Sequence, residues 1–140
     1  MVERYYLDTC IWRDHYEARY SFGGKPLGDY ASAFFAKAIQ HKDIILFSDL
    51  TIHEMKEGFE EEEIHQMMNL LFISGTLKKV SIDAEDYKRA QKISIERGLP
   101  TGDVLHAIIA AKNNAFLVSQ DNHFQALKDI VHVKKAEHII

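Results

Sequence analysis

The sequence predicts a layered α/β fold with a mainly parallel central sheet flanked by helices, and three observations lead there. Short continuous apolar runs, the mark of strands buried on both faces, recur along the chain. Segments with apolar residues at helical spacing separate them, as parallel pairing demands, because a parallel partner is reached only through a crossover. No internal repeat, low-complexity tract or Gly/Ser linker interrupts the 140 residues, so positions 1–140 read as a single domain able to bury its own core.

The first strand is Arg4-Tyr5-Tyr6-Leu7, short and aromatic. A long connection is expected from Thr9 to Gly28, with Gly23-Gly24 and Pro26 marking a turn. Asp29 is placed as the N-cap of a helix on which Ala31, Phe34, Phe35, Ala38 and Ile39 share a face. Ile44-Ile45-Leu46-Phe47 is the second strand, and Ser48 or Asp49 caps a helix that turns Ile52, Met55 and Phe59 inward. Glu60 to Glu63 interrupts this helix as a solvated face. A further helix carries Ile64, Met67, Met68 and Leu71 until Gly75 ends it.

Lys79 to Ile82 is the next expected strand. Asp83 opens a helix with Asp86 in a capping-box spacing, with Tyr87, Ala90 and Ser94 facing inward and Gly98 stopping it. Pro100 prevents its resumption, and Thr101 caps a helix with Val104, Leu105, Ile108 and Ile109 as its apolar stripe. Ala115 to Ser119 forms another buried strand. Asp121 to Lys128 reads as a short helix and Val131-His132-Val133 as a last edge strand.

Composition narrows the class. No apolar run approaches the roughly 18 residues that a membrane span needs, and Met1-Val2-Glu3-Arg4 lacks the pattern of a signal peptide. A single cysteine, Cys10, cannot form an internal disulfide, which fits a reducing cytoplasm. The net charge of -4 speaks against gripping nucleic acid by bulk electrostatics, although cations bound by a cluster of acids offset such charge locally.

In parallel α/β sheets, chemistry sits beyond the carboxyl ends of the strands. Asp8 directly follows the first strand, Glu54 lies near the start of the helix after Phe47, and Asp121 follows the strand that ends near Ser119. The helix holding Asp103 feeds the strand at Ala115, so it must begin at the same edge. Taken singly, each acid has an ordinary reading: Asp8 or Asp121 as a turn former, Asp103 opposite the helix dipole, Glu54 in solvent. Independent caps need not all fall at one edge, however. Converging carboxylates demand a positive partner, and hard oxygen ligands suit Mg²⁺ or Mn²⁺ and phosphodiester hydrolysis.

Tyr6-Leu7-Asp8-Thr9, Glu54 after Ser48-Asp49-Leu50-Thr51-Ile52-His53, Thr101-Gly102-Asp103-Val104-Leu105-His106-Ala107 and Ser119-Gln120-Asp121-Asn122-His123-Phe124 together resemble the ordered motifs of PIN domains. The resemblance spans nearly the whole chain. It implies a three-layer PIN-like fold and Mg²⁺- or Mn²⁺-dependent cleavage of single-stranded or loop RNA. It also implies frequent homodimerisation and, for a stand-alone domain of this length, a VapC-type toxin restrained by a separate antitoxin. Asp8 and Asp103 would be the principal metal ligands, with Glu54 and Asp121 binding directly or through water. Thr9 and Ser119 would donate to the carboxylates or to a scissile phosphate; ordinary capping is their alternative. Many relatives carry Asn or Ser where this chain has Cys10, and a thiol is the weaker hydrogen-bond partner.

Trp12, Arg13 and Arg19, with Tyr16 and Tyr20, form an aromatic and basic stretch suited to unpaired bases. Packing of a helix or interface explains the aromatics equally well. His106 shares the face of Asp103, with a structural role as its ordinary reading, while Asp14 and Asp29 read as surface or capping residues. The Met67-Met68 stripe reads as core or dimer contact. A haloacid-dehalogenase-type phosphatase would want an acid at position 10, a receiver domain a Lys after its last main strand, and a nucleotide hydrolase a glycine-rich loop; none is present. A catalytically silent metal- or RNA-binding domain is the remaining alternative.

Overall fold

The computed structural model describes residues 2–140. Its strands are β1 (Arg4–Leu7), β2 (Ile44–Phe47), β3 (Leu77–Lys79), β4 (Phe116–Val118) and β5 (Val133–Lys134). They pair in the order β3-β2-β1-β4-β5 as one five-stranded sheet, and every pairing is parallel. The helices are α1 (Thr9–Glu17), α2 (Leu27–Gln40), α3 (Asp49–Met55), α4 (Glu61–Ile73), α5 (Ala84–Arg97) and α6 (Thr101–Lys112), with 3₁₀ turns at Asn122–Leu127 and Ala136–His138. Among the described residues no helix is long and apolar enough to cross a membrane.

Side-chain alternation along the central strands divides the core into two. Tyr5, Leu7 and Ile45 face α1, α2 and α4 through Ile11, Trp12, Phe34, Phe35, Met67 and Leu71. Tyr6, Leu46 and Leu117 face α5 and α6 through Ala90, Val104 and Ile108. The expected three layers follow. α6 is buried at every position from Val104 to Ala110, so a polar residue there must find its partner inside the protein.

The strand order reverses at β1. From there the chain moves outward to β2 and β3, then returns to the other flank as β4. The carboxyl ends of β1 and β4 lie side by side, with the Asp8 amide donating to the Val118 carbonyl at 2.9 Å. This is the switch point at which such sheets open a crevice.

Several local expectations change. The connection expected from Thr9 to Gly28 contains α1, whose only large apolar inward residues are Ile11 and Trp12; its inward face also carries Thr9 and Asp14, which blurs the period. Asp14 is therefore buried rather than at the surface. Asp29 lies inside the first turn of α2, with Pro26 at the N-cap, and Pro100 rather than Thr101 is the N-cap of α6. β3 begins at Leu77 and shares only Lys79 with the expected Lys79–Ile82 strand, because the ladder to β2 runs from Leu77 to Lys79 and closes with Val80 donating to the Phe47 carbonyl. β5 is likewise shifted to Val133–Lys134, and the segment after Asp121 is 3₁₀ rather than α. Tyr87 is exposed, not inward.

α1 and α2 meet at Gly28. A Cβ there would stand 2.6 Å from the Ala18 Cα and 2.7 Å from the Asp14 carbonyl oxygen, both backbone atoms unable to yield cheaply. Gly28→Ala is expected to lose about 1–3 kcal/mol as the helices separate, read as a lower urea midpoint. An unchanged midpoint would mean that the two helices do not need this approach.

Candidate metal centre

Each of the four acids reaches the carboxyl edge by its own route. Asp8 occupies the N-cap position of α1 in extended conformation, yet its side chain does not cap the helix. Instead Oδ2 accepts hydrogen bonds from Ser119 Oγ at 2.8 Å and from Cys10 Sγ at 3.0 Å. The Cys10 thiol is pushed well above its ordinary pKa by burial and by the Asp8 charge, so it stays protonated and able to donate. Ser119 also accepts from the Asp121 amide at 2.9 Å, which ties the end of β4 to both acids.

Glu54 projects from α3, which Ser48 opens with a capping box shared with Thr51. Its Oε1 accepts from Thr9 Oγ1 at 2.5 Å and lies 2.8 Å from His106 Nε2. Burial alone would raise this carboxyl's pKa; the His106 and Thr9 hydrogen bonds, with the nearby charges of His106 and Arg13, hold it below its ordinary value.

Asp103 stands in the first turn of α6. Its pKa is raised to about 6, first by burial and then by the charges of Asp8 and Asp121, against weaker relief from His106 and His123. Asp121 is partly an ordinary cap, since its Oδ1 accepts from the His123 amide at 2.9 Å. The His123 ring also lies 3.4 Å from Asp121 Oδ1 and 4.0 Å from Asp103 Oδ2. Ligand atoms of Asp8, Glu54 and His106 fall within 4.8 Å of one another, and those of Asp103, Asp121 and His123 do the same. Hard oxygen donors dominate both groups, with two carboxylates and one imidazole in each. The residues present therefore fit a divalent cation.

A surface depression at this edge is lined by Asp8, Thr9, Cys10, Arg13, Arg19, Glu54, Glu57 and Asp121. Arg13 Nη2 donates to the Glu54 carbonyl at 3.0 Å, and its guanidinium stands 5.7 Å from the Phe59 ring. Arg19 is half exposed, 3.7 Å from Asp14 and 3.9 Å from Glu17. Asp14 itself is 3% exposed, and burial, partly countered by Arg19, raises its carboxyl to about 6. Trp12 is the correction in this stretch. The ring is fully buried and packs against Phe35 with centroids 5.6 Å apart, so no face is left for a base. The aromatics of this stretch that do face solvent are Tyr16 on α1, and Tyr20 and Phe22 on the loop following Arg19.

His106 is the residue whose place the sequence understates. It is fully buried and joined to Glu54. Its spacing of three residues from Asp103 puts it on the same helix face, but spacing cannot show that β1 and α3 close over the ring.

The PIN domain family pattern matches residues 5–130. No curated protein matches the sequence. Among solved structures, the chain is similar to VapBC2 from Rickettsia felis, seen bound to a DNA fragment from its promoter: identity is 19%, TM-score 0.67, with 94% of this chain and 98% of that chain covered. VapBC-1 from nontypeable Haemophilus influenzae gives 18% identity and TM-score 0.63 over 95% of this chain and 98% of that one. VapBC-5 from Mycobacterium tuberculosis, a member of the VapBC family of toxin-antitoxin systems, gives 17% and 0.51 over 94% and 96%. At these identities the likeness is one of fold.

Proposed function

The chain belongs to the PIN domain family, and from that premise we propose that it is a metal-dependent endoribonuclease working through Asp8, Glu54, Asp103 and Asp121. The observation that carries this reading is the gathering of the acids: ligand atoms of Asp8 and Glu54 with His106, and of Asp103 and Asp121 with His123, lie within 4.8 Å of one another in each group, and the Asp103 carboxyl is raised by burial and by the charges of Asp8 and Asp121. Asp8 and Asp103, with Glu54 and Asp121, would hold Mg²⁺ or Mn²⁺. Such an ion supplies Lewis acidity toward a phosphodiester and neutralises charge that builds on its oxygens.

The protein's own groups do the placing. Ser119 and Cys10 both donate to one oxygen of Asp8 and leave the other without a donor among the described residues. Thr9 holds Glu54. Arg13 and Arg19 bring guanidinium groups to the depression that contains Asp8 and Asp121, where they suit the phosphates of an RNA strand. An antitoxin partner belongs to the same proposal, supported by the VapBC neighbours. Leu70, Phe72 and Ile73, exposed at the end of α4, offer apolar surface to such a partner or to a second copy in a homodimer.

The test is cleavage of a mixed single-stranded RNA pool in Mn²⁺, with a chelator and an Asp8→Asn variant in parallel. Cutting that stops in both controls is the expected result. Equal cutting by the variant would remove Asp8 from the site. Cation binding without cutting across varied RNAs would leave a silent binding domain.

A further inference from the structure

His106 is an imidazole with no exposure, set in a helix that is otherwise apolar over its buried length. Both its nitrogens are used. Nε2 lies 2.8 Å from Glu54 Oε1 and Nδ1 lies 2.8 Å from Tyr6 Oη. Tyr6 comes from the middle of β1, and its hydroxyl also lies 2.7 Å from Ser48 Oγ and 3.4 Å from Thr51 Oγ1. Ser48 and Thr51 in turn form the capping box that starts α3, the helix bearing Glu54.

The proton inventory gives this chain a direction. An ionised carboxylate only accepts, so the hydrogen between His106 and Glu54 must sit on Nε2. Whenever the ring is neutral Nδ1 is then an acceptor, which the Tyr6 hydroxyl satisfies by donating; when the ring is charged Nε2 still donates to Glu54. Tyr6 Oη can in turn accept from Ser48. Every contact has one donor and one acceptor, and none is left over. The chain thus begins at the cap of α3 and ends on a side chain of α3, passing through β1 and α6.

We infer that His106, held in its tautomer by Tyr6, is the positioning residue for Glu54. Thr9 and His106 both engage Oε1, which leaves Oε2 as the oxygen free to serve the site. Oε2 lies against Gly102, 3.2 Å from where a Cβ there would stand, beside Asp103 in sequence. A glutamate without this hold would swing away from three like charges into solvent. The hydrogen bond from α6 keeps Glu54 at the edge where Asp8 and Asp103 stand, as outer partners do for metal-binding side chains generally. The inference rests on the metal-dependent reading and adds to it a residue that need touch neither cation nor RNA.

The experiment is Mn²⁺ titration calorimetry on the full chain, with thermal melting to confirm folding of each variant. His106→Leu removes the donor at similar volume, His106→Gln returns an N–H near the Nε2 position, and Tyr6→Phe deletes only the hydroxyl. Affinity is expected to fall about 10- to 100-fold in His106→Leu, to recover in large part in His106→Gln, and to fall less in Tyr6→Phe. Wild-type affinity in His106→Leu, or a His106→Gln no better than His106→Leu, would overturn the inference and leave the ring a packing role. If His106→Leu does not fold, wild-type affinity in Tyr6→Phe overturns it instead. No Mn²⁺ binding by the wild type would bring down the nuclease reading itself, a different and recognisable outcome.

Discussion

Asp103→Asn is expected to do two opposite things: to cut RNA cleavage in Mn²⁺ by about 100-fold or more, and to make the metal-free protein more stable near neutral pH. Both follow from one cause. The Asp103 carboxyl is raised from 3.8 to about 6 by burial and by the charges of Asp8 and Asp121. Between those values the folded protein holds a proton that the unfolded chain has released. The group's contribution to stability is therefore complete below its unfolded pKa and is lost as pH rises through about 6. Above that point the carboxylate strains the fold, by an amount on the order of 1 kcal/mol once its partial exposure is discounted.

Asparagine keeps the shape and carries no charge. In chelator, the Tm difference between Asp103→Asn and wild type should widen as pH rises through about 6 and nearly vanish below the unfolded pKa. Comparing the two proteins also isolates Asp103 from Asp14, which is raised to about 6 as well and titrates alike in both. Added Mn²⁺ should stabilise the wild type more than the variant, because the cation relieves the repulsion that the variant lacks. A variant that cleaves normally would place Asp103 outside the site. A Tm difference independent of pH would mean that the acids do not repel one another as described.

Trp12→Ala should cost about 3–5 kcal/mol of stability, read as a large drop in the urea midpoint. The ring is fully buried against Phe35, and truncation would leave a cavity there. Trp12→Phe, which keeps much of the volume, should fold and cut RNA at the wild-type rate. A folded Trp12→Phe with weakened RNA affinity would return Trp12 to the substrate surface and overturn its assignment to the core. The contrast matters because sequence offers Trp12 and Arg13 as neighbours of equal promise. One residue of rotation along α1 separates a core anchor from a side chain at the rim of the depression.

The same helix shows where local reading loses its grip. Ile44–Phe47 and the strand around Leu117 are legible because continuous apolar runs have few other homes. α1 is not, since its buried face includes Thr9 and Asp14, and an amphipathic period cannot be seen when polar residues occupy the inner positions. β3 is short and lies at the sheet edge, where pairing to β2 and not composition sets its limits. Asp14 looks like a surface acid until α2 is laid over it at Gly28.

The sequence by itself determined the layer order, the parallel sheet and the edge at which Asp8, Glu54, Asp103 and Asp121 gather, because these follow from the alternation of strands and helices and from direction of travel along the chain. The tertiary structure alone decided which oxygen of each acid is occupied, that Trp12 belongs to the core, and that His106 reaches from α6 to Glu54 under the hydroxyl of Tyr6. These depend on contacts between residues far apart in sequence, from 45 positions for Thr9 with Glu54 and 52 for His106 with Glu54 to 111 for Ser119 with Asp8. No local period encodes such contacts. Packing of three layers against one another sets which hydrogen-bond partners a buried polar group can find.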